Sequence, residues 1–198
     1  MPTPIAASTI VAQAFRFIEA TPPSSFDDDT EKAQAAKEQY PEALAQCLEA
    51  SDWSFASTMA LLAQAALPAF AITDADLPYF YTLPGDLIRL HEVGDAGTRW
   101  RRDAIGLRAD EAAPLRIRYT ANITTESRLP ATFRVAVSLQ LALLLGPRWL
   151  TTAAKMQALQ AQAQQTLRQA MREDARMASS ARYDGLDEQD DWATEARR

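Results

Sequence analysis

Apolar residues recur at helical spacing in two stretches near the start of the chain. The first stretch predicts a helix over about residues 4–20, and the second predicts one over about residues 29–50. Thr21-Pro22-Pro23 separates the two, because proline does not continue a helix. Pro41 falls inside the second helix, where the missing backbone donor predicts a kink after Tyr40.

Between about residues 53 and 125 the pattern changes to short runs bounded by proline and glycine, which is typical of strands. Residues 79–83 and 87–93 flank the Pro84-Gly85 turn. Residues 115–120 alternate strictly, which predicts a half-buried antiparallel strand with Leu115, Ile117 and Tyr119 on its apolar face. Trp100 and residues 105–107 are expected to supply a further pairing partner.

Helical spacing returns after Pro130. Residues 130–145 are apolar nearly all round, which predicts a helix at the centre of a bundle, and Gly146-Pro147 is expected to end it. A last helix is predicted over about residues 152–178. The predicted fold is therefore α+β: a four-helix bundle with a small antiparallel β-sheet inserted between the second and third helices. Residues 1–178 form the expected domain, and residues 179–198 an extended C-terminal tail.

Composition narrows the range of functions. The chain has 198 residues, of which 47% are hydrophobic, as in ordinary globular proteins. Its net charge of −6 argues against tight nucleic-acid binding through counterion release. The single cysteine, Cys47, excludes a disulfide framework, and it is expected to be a small buried side chain. We expect no cofactor and no metal site.

Catalytic motifs are absent from the sequence. No phosphate-binding glycine loop and no nucleophile elbow occur. His91 is the single histidine, and its neighbour Glu92 points to the other face of the predicted strand, so we expect no enzyme activity. A small hydrolase that pairs His91 with an Asp or Glu is kept as an alternative. The N-terminus lacks a leader pattern and no apolar run is long enough to cross a membrane, which predicts a soluble protein made in the cytoplasm.

One local basic cluster contains an aromatic residue. Arg99, Arg101 and Arg102 surround Trp100, and these three arginines are candidates for contact with nucleic-acid phosphates. The alternative is a solvated strand, since arginine is frequent throughout this chain.

Three motifs follow one another in a recognisable order. They are Tyr40-Pro41-Glu42-Ala43, Trp53-Ser54-Phe55-Ala56 and Tyr81-Thr82-Leu83-Pro84-Gly85-Asp86. The series resembles the head–tail adaptor (connector) proteins of tailed phages and phage-like gene transfer agents, of the tail tubular protein A type. Ser54 departs from the asparagine that this family usually carries. The resemblance assigns a structural role to Tyr40, Pro41, Trp53, Phe55, Tyr81, Leu83, Pro84 and Asp86. We expect Trp53 and Phe55 to be buried where the helices meet the sheet.

The resemblance implies a structural protein of the virion or phage-like particle. Such an adaptor forms a ring, expected to be a dodecamer, beneath the portal protein ring at the head–tail junction. It extends the channel through which DNA passes transiently, and it docks the downstream stopper or tail component. A different helical protein-interaction module is the main alternative.

The C-terminal tail is the predicted portal-docking segment. Tyr183, Leu186 and Trp192 are its sizeable apolar side chains, set among acidic residues. Aromatic residues are preferred anchors in protein interfaces, and the resemblance implies that this segment grips the portal. An idle terminus is the alternative.

Overall fold

A computed structural model describes the backbone of residues 9–150 and 152–183 and the side chains of residues 9–150 and 152–178. Its helices are α1 (Thr9–Phe17), α2 (Glu31–Glu49), α3 (Ala131–Trp149) and α4 (Ala153–Tyr183). Its strands are β1 (Ser57–Leu62), β2 (Tyr79–Tyr81), β3 (Leu87–Val93), β4 (Trp100–Asp103), β5 (Gly106–Ala109) and β6 (Leu115–Ala121). Single 3-10 turns lie at Ser54–Ala56 and Glu126–Arg128.

The strands form two three-stranded antiparallel sheets. Sheet A has the order β1-β6-β3, and sheet B has the order β2-β5-β4. Both inner faces contribute to one buried apolar cluster, with Leu115 and Ile117 from sheet A and Tyr81 and Leu107 from sheet B. The chain crosses between the sheets after β1, where the N–H of Ala65 donates to the carbonyl of Phe80 at 2.8 Å. The outer edges of this open sandwich are therefore β3 and β4.

The predicted four-helix bundle with one inserted sheet is wrong. The six strands divide into two sheets that enclose a core of their own, separate from the core between the helices. The extensive helix contacts all involve α3, which packs against α1, α2 and α4. A helix that is apolar nearly all round favours this central position. The arrangement of α1, α2 and α4 around α3 differs from the predicted four-helix bundle.

Three predicted helix boundaries also differ from the structure. α1 ends at Phe17 because Glu19 adopts a φ of 57° and Ala20 N–H donates to the carbonyl of Phe15, which closes a Schellman motif. α3 continues through Gly146-Pro147 to Trp149, where proline removes a single donor in the last turn. α4 runs on to Tyr183, since no proline or glycine interrupts residues 179–183.

Strand positions were predicted better than strand partners. The predicted apolar face of residues 115–120 is confirmed, because Leu115, Ile117 and Tyr119 are at most 4% exposed, but Thr120 on the opposite face is buried as well. β2 and β3 flank the Pro84-Gly85 turn as expected, but they belong to different sheets. The turn therefore carries the chain between the layers and does not pair its two flanking strands.

Candidate functional site

Trp53 fastens the end of α2 to α3. Its side chain is 1% exposed, and its indole N–H donates to the carbonyl of Cys47 at 2.8 Å. Its ring centroid lies 4.8 Å from that of Phe133 and 5.6 Å from that of Phe55. The expected burial of Trp53 at the junction of helices and sheet is confirmed, whereas Phe55 is only partly buried.

α4 is tied to the same junction through Ser54. The backbone N–H and the hydroxyl of Ser54 donate to the carboxylate of Asp174, at 2.9 and 2.6 Å. The serine that departs from the resembled family thus has a defined partner. Because Asp174 lies on α4, this contact holds the long helix against the 3-10 turn that leads into β1.

The remaining motif residues also act as scaffold. Tyr40 of α2 packs against Phe26, which precedes this helix. Burial, and to a smaller extent the charge of Glu126, raises the pKa of Tyr40 to about 12. Pro41 is exposed on the same helix. Tyr40 packs against the helical core, whereas Pro41 does not contribute to it.

The turn motif belongs to the core between the sheets. Tyr81 is fully buried and its hydroxyl donates to the carbonyl of Glu111 at 2.6 Å. Leu83 packs against the same cluster. The carboxylate of Asp86, two residues after Pro84, accepts a hydrogen bond from the hydroxyl of Tyr119 at 3.2 Å. The motif thus joins the turn to β6.

Two of the three candidate DNA-contact arginines are engaged by carboxylates. Arg99 Nε lies 2.9 Å from Asp110 Oδ2. Arg101 Nε lies 2.9 Å from Asp103, and its Nη1 lies 3.1 Å from Asp74. Among the described side chains, those of residues 9–150 and 152–178, Arg102 has no salt-bridge partner, so its charge is the one in the cluster that remains uncompensated.

An open groove follows the gap between the edge strands β3 and β4. Its volume is about 440 Å³ and it is lined by Glu49, Ile88, Arg89, Leu90, Trp100 and Arg102. Arg89 donates to the carbonyl of Glu49 at 3.0 Å, and Trp100 is 43% exposed. Two guanidinium groups beside a half-exposed indole suit a phosphate or a carboxylate group.

His91 lies in a polar cluster on the outer face of sheet A. Its Nε2 is 2.7 Å from Thr120 Oγ1 and 3.4 Å from Asp52 Oδ1. A catalytic relay needs the hydroxyl and the carboxylate on different ring nitrogens, and here both approach the same one. Thr120 is also fully buried. Burial is the main cause that lowers the pKa of His91, opposed by the nearby carboxylate of Asp52.

The described part of the chain contains neither a group of metal-binding side chains nor a membrane-spanning helix. Within it, no three His, Cys, Asp or Glu side chains gather in a group that could hold a metal ion. None of its helices is both long and apolar enough to cross a membrane. Cys47 is buried, and burial raises the pKa of its thiol to about 12.

The loop from residue 63 to 78, which joins β1 to β2, is fastened to the outer face of sheet B. Arg108, 6% exposed, donates from Nη1 to the carbonyl of Ile72 at 2.7 Å and pairs with Asp103 at 2.7 Å. The pair between Arg101 and Asp74 holds the next turn of the loop. Because a buried guanidinium needs such partners, the loop backbone is fixed where it crosses the sheet.

This fastened loop presents two large apolar side chains to solvent. Phe70 is 80% exposed and Ile72 is 85% exposed; together they form the loop patch. Ile72 thus offers its carbonyl to Arg108 and its side chain to water. Exposed apolar groups that a rigid scaffold displays together are typical of protein-contact surfaces.

A second exposed apolar pair lies on β1. Met59 is 64% exposed and Leu61 is 69% exposed; these two residues form the strand patch on the outer face of sheet A. Their partners across the sheet are Arg118 and Arg116 of β6. Arg118 pairs with Asp52 and Glu92, and Arg116 pairs with Asp95, so carboxylates offset the charge of both arginines beside the strand patch.

Sequence reasoning missed both patches and the role of Arg108. In residues 57–62, apolar side chains fall on both faces of the strand, with Met59 and Leu61 on one and Leu62 on the other. The pattern therefore did not distinguish the core face from the solvent face. Phe70 and Ile72 stand between Pro68 and Pro78 with small and polar neighbours. The presence of two bulky apolar residues in such a loop was the signal that could have indicated an exposed patch.

The predicted portal-docking residues fall at the edge of the described chain or beyond it. Tyr183 is the last residue of α4, and its side chain lies outside the described residues. Leu186 and Trp192 also lie outside them.

No model of a known protein family matches the chain, and no curated protein matches its sequence.

Proposed function

We propose that this protein is a structural head–tail adaptor of a tailed phage or phage-like particle. It assembles as a ring under the portal protein, extends the DNA channel and docks the next tail component. The order of its Tyr-Pro, Trp-Ser-Phe and Leu-Pro-Gly-Asp motifs supports this proposal through the resemblance already described.

The fastened loop is the observation that carries the proposal. Arg108 and Arg101 hold the backbone near Ile72 against sheet B, while Phe70 and Ile72 remain exposed. This arrangement exposes apolar side chains to water, which costs free energy unless another protein covers them. A component that works by contacting other subunits accounts for this feature.

Residues 179–198, with Tyr183, Leu186 and Trp192, supply the contact with the portal in this proposal. Arg102 in the groove supplies a weak contact with passing DNA. Few free cations suit a channel through which DNA slides, because each neutralised phosphate adds affinity.

Imaging of the purified chain mixed with the portal protein of the same particle tests the proposal. We expect ring-shaped densities on the portal in negative stain, and native mass spectrometry gives their stoichiometry. Arg102→Gln is expected to keep these rings, since a channel contact is not needed for assembly. If no ring forms on the portal at any salt concentration, the adaptor function is refuted.

A truncation tests the docking segment separately. The chain cut after Tyr183 keeps the whole of α4 and is expected to lose binding to the portal. Normal binding of the truncated chain would transfer the docking role to another surface.

A further inference from the structure

We infer that the acidic C-terminal segment of this chain, residues 184–198, binds in the groove between β3 and β4 of the same molecule. The groove has a volume of about 440 Å³, which is the size of cavities that hold a small ligand or a few side chains. This contact belongs to the free chain, so it goes beyond the proposed function and does not rest on it.

The groove follows the seam between the two apolar cores. Ile88 packs against the core between the helices, and Leu90 packs against the core between the sheets. Both side chains are partly exposed, and Trp100 on β4 is 43% exposed. The groove therefore offers an apolar floor and an indole ring to a side chain that enters it.

The arginines of the groove lack carboxylate partners. Among the described side chains, Arg102 forms no salt bridge, and the polar contact of Arg89 is with the backbone carbonyl of Glu49. By contrast, carboxylates hold Arg116 and Arg118 on sheet A. Glu49 is the acid among the residues that line the groove, so its guanidinium groups outnumber its carboxylates by two to one.

The C-terminal segment carries the complementary pattern. It has six acidic side chains and two arginines, and four of the acids lie within residues 187–191, between Leu186 and Trp192. A guanidinium binds a carboxylate through two parallel hydrogen bonds, and an indole packs on apolar side chains and other aromatic rings. One short stretch thus supplies both acids for Arg89 and Arg102 and a bulky aromatic ring for the apolar floor.

The position of α4 places this segment within reach of the groove. Asp174 accepts hydrogen bonds from Ser54, and five residues separate Ser54 from Glu49, which is at most about 18 Å. From Asp174 to its end at Tyr183, α4 adds about 14 Å. Residues 184–198 span up to about 50 Å when extended, so they are long enough to return to the groove.

The tether favours this segment over free anions. A short flexible connection holds a ligand near its site at an effective concentration in the millimolar range. In the proposed function the portal takes up the same segment, and one tryptophan cannot fill two sites. Contact with the groove and docking to the portal therefore exclude each other, and Arg102 becomes accessible to DNA only after docking.

Cross-linking within the full-length chain tests the contact. Ala193→Cys, next to Trp192, is combined with Ala50→Cys, which is exposed beside Glu49, and a short bis-maleimide joins the two thiols. Mass spectrometry measures the yield of the cross-linked monomer. Cys47 is buried and does not compete for the reagent.

The matched control combines Ala193→Cys with Met59→Cys, a position that is 64% exposed on β1. Ala50 lies four residues before Ser54 and Met59 lies five residues after it. Since Ser54 is the contact point of α4, chain reach alone predicts similar yields for the two pairs.

We expect the Ala50 pair to give at least about three times the yield of the Met59 pair at low salt, and the excess to decrease in about 1 M salt, where exposed charges are screened. Equal yields would overturn the inference and leave the groove to an external anion, such as a DNA phosphate. Cross-links confined to dimers would assign the segment to the groove of a second copy, which also overturns it.

Arg102→Gln tests the charge of the groove. In the Ala50 pair it is expected to reduce the yield about two- to fivefold. Arg16→Gln, which removes the same charge from an exposed position on α1, should leave the yield unchanged. Ala50, Met59, Arg16 and Arg102 are all exposed, so the thermal midpoints are expected to match the wild type. An unchanged yield in folded Arg102→Gln contradicts the inference.

This experiment requires neither the portal nor a ring. Equal cross-linking yields therefore refute the groove contact and leave the adaptor function standing. Absence of rings on the portal refutes the adaptor function and leaves the groove contact standing.

Discussion

Replacement of Trp53 by alanine tests the junction between the helices and the sheet. Trp53 is 1% exposed, and it contacts two aromatic rings and the last turns of α2. The substitution removes an indole from a closed environment and leaves a cavity beside the contacting rings of Phe133 and Phe55.

The expected loss follows from the buried contacts. Truncation of a buried tryptophan to alanine costs about 3–5 kcal/mol, from lost transfer free energy and from the cavity. The carbonyl of Cys47 also loses its donor, which is included in that range. For a chain of this size, each kcal/mol lowers the thermal midpoint by about 2–4 °C. We therefore expect a decrease of roughly 6–20 °C.

Circular dichroism on heating and urea unfolding at 25 °C measure this loss, and the two readouts should agree. Trp100→Ala is the matched control, because Trp100 is 43% exposed on the edge strand β4. The control is expected to change stability by less than about 1 kcal/mol. A Trp53→Ala protein with the midpoint of the wild type would refute the role of the aromatic junction.

Two further predictions concern sheet A and its turn. Burial lowers the pKa of His91 in the folded chain below its unfolded value, so the unfolded chain binds the proton more readily. Stability is expected to be constant above about pH 6.5 and to fall as the pH drops further. Urea unfolding at pH 7.5 and pH 5 measures this fall in the free energy of unfolding, which should be smaller for His91→Gln than for the wild type. An identical fall in both proteins would contradict the assignment of the pH dependence to His91. Gly94→Ala should cost roughly 1–3 kcal/mol, because Gly94 has a φ of 60° and a Cβ would collide with the side chains of Thr98 and Glu111. Gly97→Ala, with open space around it, is the control in the same thermal assay.

Local pattern was informative where one face of an element is buried and the other is exposed. The strict alternation of residues 115–120 predicted the buried face of β6. Residues 130–145 are apolar on nearly all sides, and this predicted a helix that packs against other helices. The series of bulky residues around Trp53 predicted a buried junction. In each case the chemistry of consecutive side chains restricts what the backbone can do.

The candidate surfaces were accessible from sequence only in part. The arginine cluster was visible, but the carboxylates that engage Arg99 and Arg101 come from β4 itself, the end of β5 and the 63–78 loop. No local pattern encodes which acid will lie beside which arginine. The two apolar patches were hidden for a related reason, since an apolar residue in a sequence is assigned to a core unless its environment is known.

By itself, the sequence determined the helices, most of the strands and the absence of familiar catalytic motifs, because these depend on side-chain spacing over a few residues. The tertiary structure decided that six strands form two sheets, that α3 is the centre of three helix contacts, and that Met59, Leu61, Phe70 and Ile72 face solvent. These outcomes depend on pairings between residues far apart in the chain, as in the contact of Arg108 with Ile72. Strand alternation specifies two faces for each strand, and only the packing of one sheet on another determines which of them becomes the core.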